Sequence, residues 1–301
     1  MGETAGDRLF RYGSIAVMLL ALVVALFPYL NVLAVSLNQG TDTMRGGITI
    51  IPRKPTLENM RTILSDAGIW RALWISVSST ALGTLLGLAV QFAVAYGIKK
   101  KDLIGRSAIL TFLIIPMFFS GGLIPVYLLY SRTGLLNSFM VYVLPSAFSF
   151  YNMIVIRTYL QSALPEELEE AAKIDGASDL TVFLRIVLPL SRPILATVGL
   201  WIAVGKWNDW TTTLYFVTRR SLDTLQYKMV LVIQESQYLV TRIQKAIEAG
   251  QSVEQLRGAV TVTPQSLVAA QLIITTIPII LVYPFVQKYF VRGIMIGAVK
   301  G

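Results

Sequence analysis

The chain has 301 residues, of which 54% are hydrophobic and only 14% charged, with a net charge of +9 and neither cysteine nor histidine. Soluble domains carry charge on about 25% of residues, so this composition excludes an ordinary soluble fold. The missing residue types exclude disulfides, thiolate chemistry, most zinc sites and histidine proton relays.

Five stretches contain no Asp, Glu, Lys or Arg: Tyr12 to Thr41, Ala72 to Ile98, Ser107 to Ser131, Thr133 to Ile156 and Gly258 to Gln287. Each is long enough for a helix to cross a ~30 Å hydrocarbon core, which needs about 20 residues. A sixth apolar segment, 193–218, carries only Lys206 and Asp209 as charges. The expected fold is therefore all-α, one polytopic membrane domain over 1–301. Six transmembrane helices are expected at about 14–37, 72–98, 107–130, 138–158, 193–218 and 265–290.

Arg8 and Arg11 precede the first stretch in the manner of a signal peptide. Its apolar run exceeds the 7–15 residues of a signal peptide's hydrophobic region, so it reads as a retained first helix. Orientation follows from the short loops, because the total balances: thirteen Lys/Arg on one side, twelve on the other, and Lys206 within a span. Lys99, Lys100, Lys101 and Arg106 crowd the connection between the second and third spans, whereas the next connection holds only Arg132. The positive-inside rule places 99–106, both termini and the loop 159–192 in the cytoplasm. The excess positive charge is then explained by orientation and anionic lipid, with no need for nucleic acid.

Loops 38–71 and 219–264 fall on the extracytoplasmic side. In the second, Tyr238, Leu239, Ile243 and Ile247 have helical spacing over Glu235 to Ala249, and Gly250 suits a helix end. That segment reads equally as a solvated hairpin or as a docking surface for an extracytoplasmic partner. Pro116 and Pro125 are expected to kink or interrupt the third span, and Pro278 and Pro284 the sixth.

The longest polar interruption, 165–189, holds six of the seventeen acidic residues: Glu166, Glu167, Glu169, Glu170, Asp175 and Asp179. Pro165 suits a helix first turn, and the glutamates after it favour the positive end of the helix dipole. Leu168, Ala171, Ala172 and Ile174 supply a small apolar face, and Gly176 permits a sharp turn. A second short helix, about 178–187, presents Leu180, Phe183, Leu184 and Val187 before Pro189 stops it.

The spacing Glu170-Ala171-Ala172, three residues, Gly176, nine residues, Ile186, one residue, Leu188-Pro189 resembles the EAA loop of permease subunits from ATP-binding-cassette importers. Ile174-Asp175-Gly176-Ala177, Trp207-Asn208-Asp209-Trp210 and the ending Gly297 to Gly301 are similar to the carbohydrate-uptake branch of maltose-type permeases. Ser120-Gly121-Gly122-Leu123-Ile124-Pro125 resembles a sub-branch for complex, sometimes acidic, oligosaccharides such as alginate or pectin fragments. The resemblance implies that Glu170, Ala171, Ala172, Asp175, Gly176, Ile186, Leu188 and Pro189 form a cytoplasmic contact with an ATPase. It also implies a second, non-identical permease, two ATPase subunits that bind ATP and Mg, and an extracytoplasmic solute-binding protein.

No G-x-x-x-x-G-K-[ST] loop occurs, since Gly205-Lys206 is followed by Trp207. The chain itself is expected to hold no cofactor, metal or catalytic residue, and ATP hydrolysis falls to the partners. Charges inside a span normally face a cavity or a partner. Lys206 and Asp209, three apart, could pair on one helical face. Together with Trp207, Asn208 and Trp210 they are candidates for the substrate path. Asn152 in the fourth span is a weaker one, alongside Tyr151. Structural alternatives remain for this group: belt tryptophans and a self-neutralising pair. An ATP-independent secondary transporter or channel would need a coupling-ion site, and a membrane enzyme would need a catalytic cluster; beyond Lys206 and Asp209 the spans offer neither.

Overall fold

A computed structural model describes residues 5–248 and 263–297. All regular elements among them are helical, and the one extended contact is an isolated bridge between Asn38 and Pro55. Along the chain, α1 (Ala5–Ser36), α2 (Gly40–Thr43) and α3 (Glu58–Leu64) precede α4 (Ala67–Lys99). Next come α5 (Arg106–Phe118), α6 (Leu123–Arg132), a 3-10 turn at Phe139–Tyr142 and α7 (Phe150–Ala163). A polar segment follows with α8 (Glu166–Ile174), α9 (Asp179–Val182), a π-helical turn (Phe183–Val187) and α10 (Leu188–Leu190). The remaining helices are α11 (Arg192–Trp207), α12 (Thr211–Phe216), α13 (Leu225–Glu248) and α14 (Pro264–Gly297).

Among the described residues, three helical segments are long and apolar enough to cross a membrane: Gly6–Ser36, Ala67–Lys99 and Pro264–Val282. Two more qualify only as bent pairs, α5 with α6 at 115° and Asp179–Leu190 with α11 at 75°. Three of the expected spans are interrupted or shortened, each with a local cause.

The segment 107–130 is not one helix but breaks over Phe119 to Gly122. Phe119 is extended and Gly122 has φ +83°, a region that glycine reaches without steric cost. Pro125 sits in the first turn of α6, where its missing N–H has no intrahelical role. The break falls between Pro116 and Pro125, as their placement predicts, and its positive-φ residue is Gly122.

In 138–158, helix begins only at Phe150. Asn137 is left-handed at φ 55°, Ser138 and Ser149 each accept a backbone N–H as caps, and Pro145 disfavours helix at Leu144. The 14 residues of α7 rise about 21 Å. That falls short of a ~30 Å core.

In 193–218, α11 stops at Trp207 and α12 restarts at Thr211. Asp209 lies between them and accepts the Thr212 N–H at 3.0 Å, so it starts the second helix. The expected extracytoplasmic helix is also longer than its periodic part: α13 begins at Leu225 and runs to Glu248. Gly250 and the residues Ala298 to Gly301 lie outside the described residues.

The chain divides into two compact units, residues 1–70 with 228–277 and residues 71–227 with 278–301. In the first, the loop after α1 closes on a buried polar knot. Asn59 donates to the carbonyls of Ser36 and Asn38 at 2.9 and 2.8 Å, and Asn38 donates to Asp42 at 3.1 Å. Arg53 adds an ion pair to Asp42 at 3.1 Å.

The second unit is built on close approach of α4 and α11. A Cβ at Gly199 would come within 3.1 Å of Leu88, and one at Gly83 within 3.1 Å of the Lys206 stem. Small residues let membrane helices pack at such distances. Below that seam, Phe92, Ala95, Met153, Ile156, Leu160, Val182, Val187 and Val198 form one buried cluster. It joins α4, α7 and α11 to the polar segment 165–191.

Candidate functional site

The polar segment forms a hairpin of two short helical arms. Helix α8 ends in a Schellman motif: the Ala177 N–H reaches the Ala172 carbonyl and the Gly176 N–H the Lys173 carbonyl, both at 2.9 Å. Gly176 has φ +85°, and a Cβ built there meets nothing within 4 Å. Its backbone, not crowding within the chain, is therefore what calls for glycine. Ala172 and Ala177, the residues flanking the motif, both pack on the buried cluster.

Pro189 does not end the second arm, contrary to expectation. The helical run continues from Asp179 to Leu190. The π turn explains this, because the Leu188 N–H bonds to the Phe183 carbonyl five residues back. Widening the ladder there makes room for the proline ring and shifts the bonding its missing N–H would have joined. The bend instead falls at Ser191, whose buried hydroxyl donates to the Val187 carbonyl at 2.7 Å.

These arms divide the motif residues into two sets. Glu170, Ala171, Asp175 and Gly176 are exposed, while Ala172, Ile186, Leu188 and Pro189 are half-buried and hold the hairpin to the unit. Ile174 is 87% exposed and Leu180 66%, with Leu184 also exposed, so the tip presents apolar side chains beside the outward Glu170.

Ion pairs fasten the hairpin to the end of α4. Lys99 donates to Glu169 at 2.6 Å and to the Leu164 carbonyl at 3.2 Å, and the Tyr96 hydroxyl donates to Glu169 at 3.0 Å. Both partners of the Lys99–Glu169 pair are largely withdrawn from solvent. Removing one member of such a buried pair costs about 3–5 kcal/mol. Phe183 packs against the rings of Phe92 and Tyr96, at 5.1 Å from each.

Further out, Asp179 accepts from Lys100 at 2.9 Å and pairs with Lys173 at 3.1 Å. Hydrogen bonds from Lys100 and then Lys173 hold the Asp179 carboxyl below its ordinary range, and Asp179 in turn raises Lys173. Both groups are exposed, so solvent screens these contacts.

Sequence reasoning placed Glu169 and Phe183 in the hairpin but missed their partners on α4, Phe92, Tyr96 and Lys99. Lys99 stood out only as a topology signal and Glu169 only as a helix-dipole residue. Their separations of 70 and 73 residues leave no local pattern to read.

The candidate path residues are distributed differently. Lys206 does not pair with Asp209 through its ammonium; it donates to the Tyr142 carbonyl, with its stem along Gly83. Asp209 accepts from the hydroxyls of Thr211 at 3.0 Å and Thr212 at 2.6 Å. The helix ends at Trp207, so the two charges share no continuous face. Trp207 is buried, whereas Trp210 is exposed. Asn208 is exposed, with its carbonyl accepting from Gln226 at 2.8 Å and its amide donating to the Val204 carbonyl at 3.0 Å. Asn152 is half-buried, and Tyr151 lies exposed beside the Trp201 ring at 6.2 Å.

The chain belongs to the family of binding-protein-dependent transport system inner membrane components, whose model matches residues 80–296. It is 33% identical to the polygalacturonan/rhamnogalacturonan transport system permease protein YtcP of Bacillus subtilis, over 98% of this chain and 99% of that one. The protein LplC of Bacillus subtilis is 34% identical over 100% of this chain and 98% of its own. Similarity extends to the arabinooligosaccharides transport system permease protein AraQ of Halalkalibacterium halodurans, 29% identical over 92% of each chain.

Among solved structures, a chain of a bacterial ABC transporter involved in the import of the acidic polysaccharide alginate superimposes with a TM-score of 0.82. The identity is 25%, covering 96% of this chain and 99% of that one. A chain of the bacterial alginate ABC transporter in complex with alginate pentasaccharide-bound periplasmic protein aligns at a TM-score of 0.58 and 17% identity. It covers 94% of this chain and 96% of the other, and shows the shared fold alone. This protein is thus an inner-membrane transport subunit, in keeping with its apolar helices.

Proposed function

We propose that this chain is the permease subunit of an ATP-driven importer and forms half of the translocation path for an acidic oligosaccharide of the pectin or alginate type. The observation that carries the mechanism is the hairpin at 165–191, with its glycine turn at Gly176 and apolar tip at Ile174, Leu180 and Leu184. An exposed apolar knob beside carboxylates on a membrane protein fits the groove of another subunit better than it fits water. Glu170, Ala171, Asp175 and Gly176 face that ATPase; Ala172, Ile186, Leu188 and Pro189 carry its movement into the membrane helices.

The full importer contains this chain, a second and non-identical permease, two ATPase subunits that bind ATP and Mg, and an extracytoplasmic solute-binding protein. Both termini and the hairpin are cytoplasmic, six crossings return the chain to its starting side, and α13 faces the solute-binding protein. Full-length similarity to a permease for polygalacturonan and rhamnogalacturonan supports an acidic substrate. The structural likeness to an alginate importer supports the same class. Lys206, Asn208 and Trp210 are the path residues the geometry favours, with Trp207 and Asp209 as their frame and Asn152 on α7 as a weaker candidate. Lys206 supplies the positive charge that an anionic sugar needs.

The experiment is uptake in proteoliposomes containing the complex and its solute-binding protein, with oligogalacturonate, an uncharged arabinooligosaccharide and ATP varied separately. Oligogalacturonate uptake that requires hydrolysable ATP is the expected result. Uptake at the same rate without ATP would mean a secondary transporter, and selective uptake of the neutral sugar would remove the acidic assignment.

A further inference from the structure

The hairpin is covalently joined to α7 through Leu164 and to α11 through Ser191. It shares aliphatic packing with α7 and α11 in the buried cluster, but the ring contacts and the buried ion pair that hold it lie on α4. Phe92, Tyr96 and Lys99 are spaced i, i+4 and i+7, which places them on one face of its last two turns. Phe92 and Tyr96 hold the second arm through Phe183, each ring at 5.1 Å. Tyr96 and Lys99 hold the first arm through Glu169, at 3.0 and 2.6 Å. One helix end therefore grips both arms.

We propose that Lys99 and Glu169 are positioning residues for energy coupling, forming a tie that transmits displacement of the hairpin directly into α4. This rests on the permease reading above. The Lys99 side chain is 6% exposed and that of Glu169 14%. The first arm cannot slide relative to α4 without stranding a desolvated charge, whereas an exposed pair would exchange freely with water. Lys99 also donates to the Leu164 carbonyl at the end of α7, so the tie joins three elements at one ammonium. Beyond it, α4 behaves as a rod whose Gly83 touches the Lys206 stem and whose Gly87 lies 3.4 Å, counted from a built Cβ, from Ile202. A shift of the hairpin thus reaches the α4–α11 seam without passing through the bend at Ser191. The outer Lys100–Asp179–Lys173 cluster is exposed and does not carry this load.

The test uses the reconstituted importer with its ATPase subunits and oligogalacturonate-loaded binding protein, and reads substrate moved per ATP hydrolysed. Glu169→Gln is expected to leave the subunits assembled and ATP turnover near wild type while substrate per ATP falls about fivefold or more, the range of a coupling term. The exchange Lys99→Glu with Glu169→Lys restores the ratio in part, because it returns the ion pair but not the bond to the Leu164 carbonyl; general destabilisation would restore none of it. Tyr96→Phe keeps the ring on Phe183 and removes one bond, so it lowers the ratio less. An assembled Glu169→Gln complex with the wild-type ratio overturns the tie while leaving the permease reading intact. Should Glu169→Gln fail to assemble, Tyr96→Phe decides: a lowered ratio sustains the proposal and an unchanged one overturns it. A wild-type complex whose uptake ignores ATP overturns both.

Discussion

In the hairpin, Glu169 accepts from Lys99 and Tyr96 on α4, 70 and 73 residues away. In the 206–210 turn of the same unit, Asp209 accepts from Thr211 and Thr212, its immediate neighbours. Both are carboxylates on or beside short helices, but one bridges distant elements and the other bonds only within its own turn. The difference shows why acidity alone says little about function. A carboxylate with long-range partners fixes one element against another and can transmit movement. One with local partners only shapes the backbone.

The largest expected effect breaks the hairpin side of this contrast. Gly176→Leu places a branched side chain at φ +85°, which strains the turn by about 1–2 kcal/mol and fills its outward face. Uptake should be abolished and co-purification of the ATPase weakened, while membrane insertion stays normal. Wild-type uptake in that variant would remove the hairpin from the coupling role.

Next is Lys206→Gln, which probes the path side. With the Tyr142 carbonyl still within reach of a donor, the fold should survive. Preference for an anionic over a neutral oligosaccharide should drop about fivefold, the equivalent of ~1 kcal/mol from one charge contact. Transport assays with an unchanged preference would show that Lys206 is a structural cation.

A smaller effect sharpens the seam between the two regions. Gly83→Ala brings a Cβ to 3.1 Å from the Lys206 stem, whereas Gly97→Ala meets nothing within 4 Å. The first should lower thermal stability slightly and alter sugar preference. The second should be neutral or gain up to about 1 kcal/mol from helix propensity. Equal behaviour in a melting assay would mean that Lys206 does not pack on Gly83.

The smallest effect concerns pH. Asp179 is held below its ordinary value of 3.8, so its contribution is complete above that value and is lost as pH falls through the lower, folded one. Lys173 is raised, so its contribution is present at neutral pH and disappears only above its ordinary value of 10.5, as pH passes the folded one. Between these limits the outer cluster should be pH-independent. Limited proteolysis of the hairpin should rise modestly below pH 3.8 in the wild type, and Asp179→Asn should flatten that acid response.

Much of this protein was legible from local chemistry. Long uncharged stretches require helices in lipid, because an unpaired backbone cannot be buried there. A motif whose glycine carries a turn can be read from spacing, and the Schellman geometry at Gly176 is the physical content of that spacing. The two short arms of the hairpin were predictable from Pro165, the first-turn glutamates and Gly176. What stayed out of reach depended on residues far apart in the chain. No local pattern could assign Lys99 to Glu169, Phe183 to Phe92 and Tyr96, or Lys206 to the Tyr142 carbonyl instead of Asp209. The interruption at Phe119 to Gly122 was legible from the prolines of the third span, but the stops of helix before Phe150 and after Trp207 outweighed hydropathy. Hydropathy reports only what a segment can bury. Whether the helix continues, and which partner its charges take, is decided by caps, left-handed residues and packing in the assembled fold.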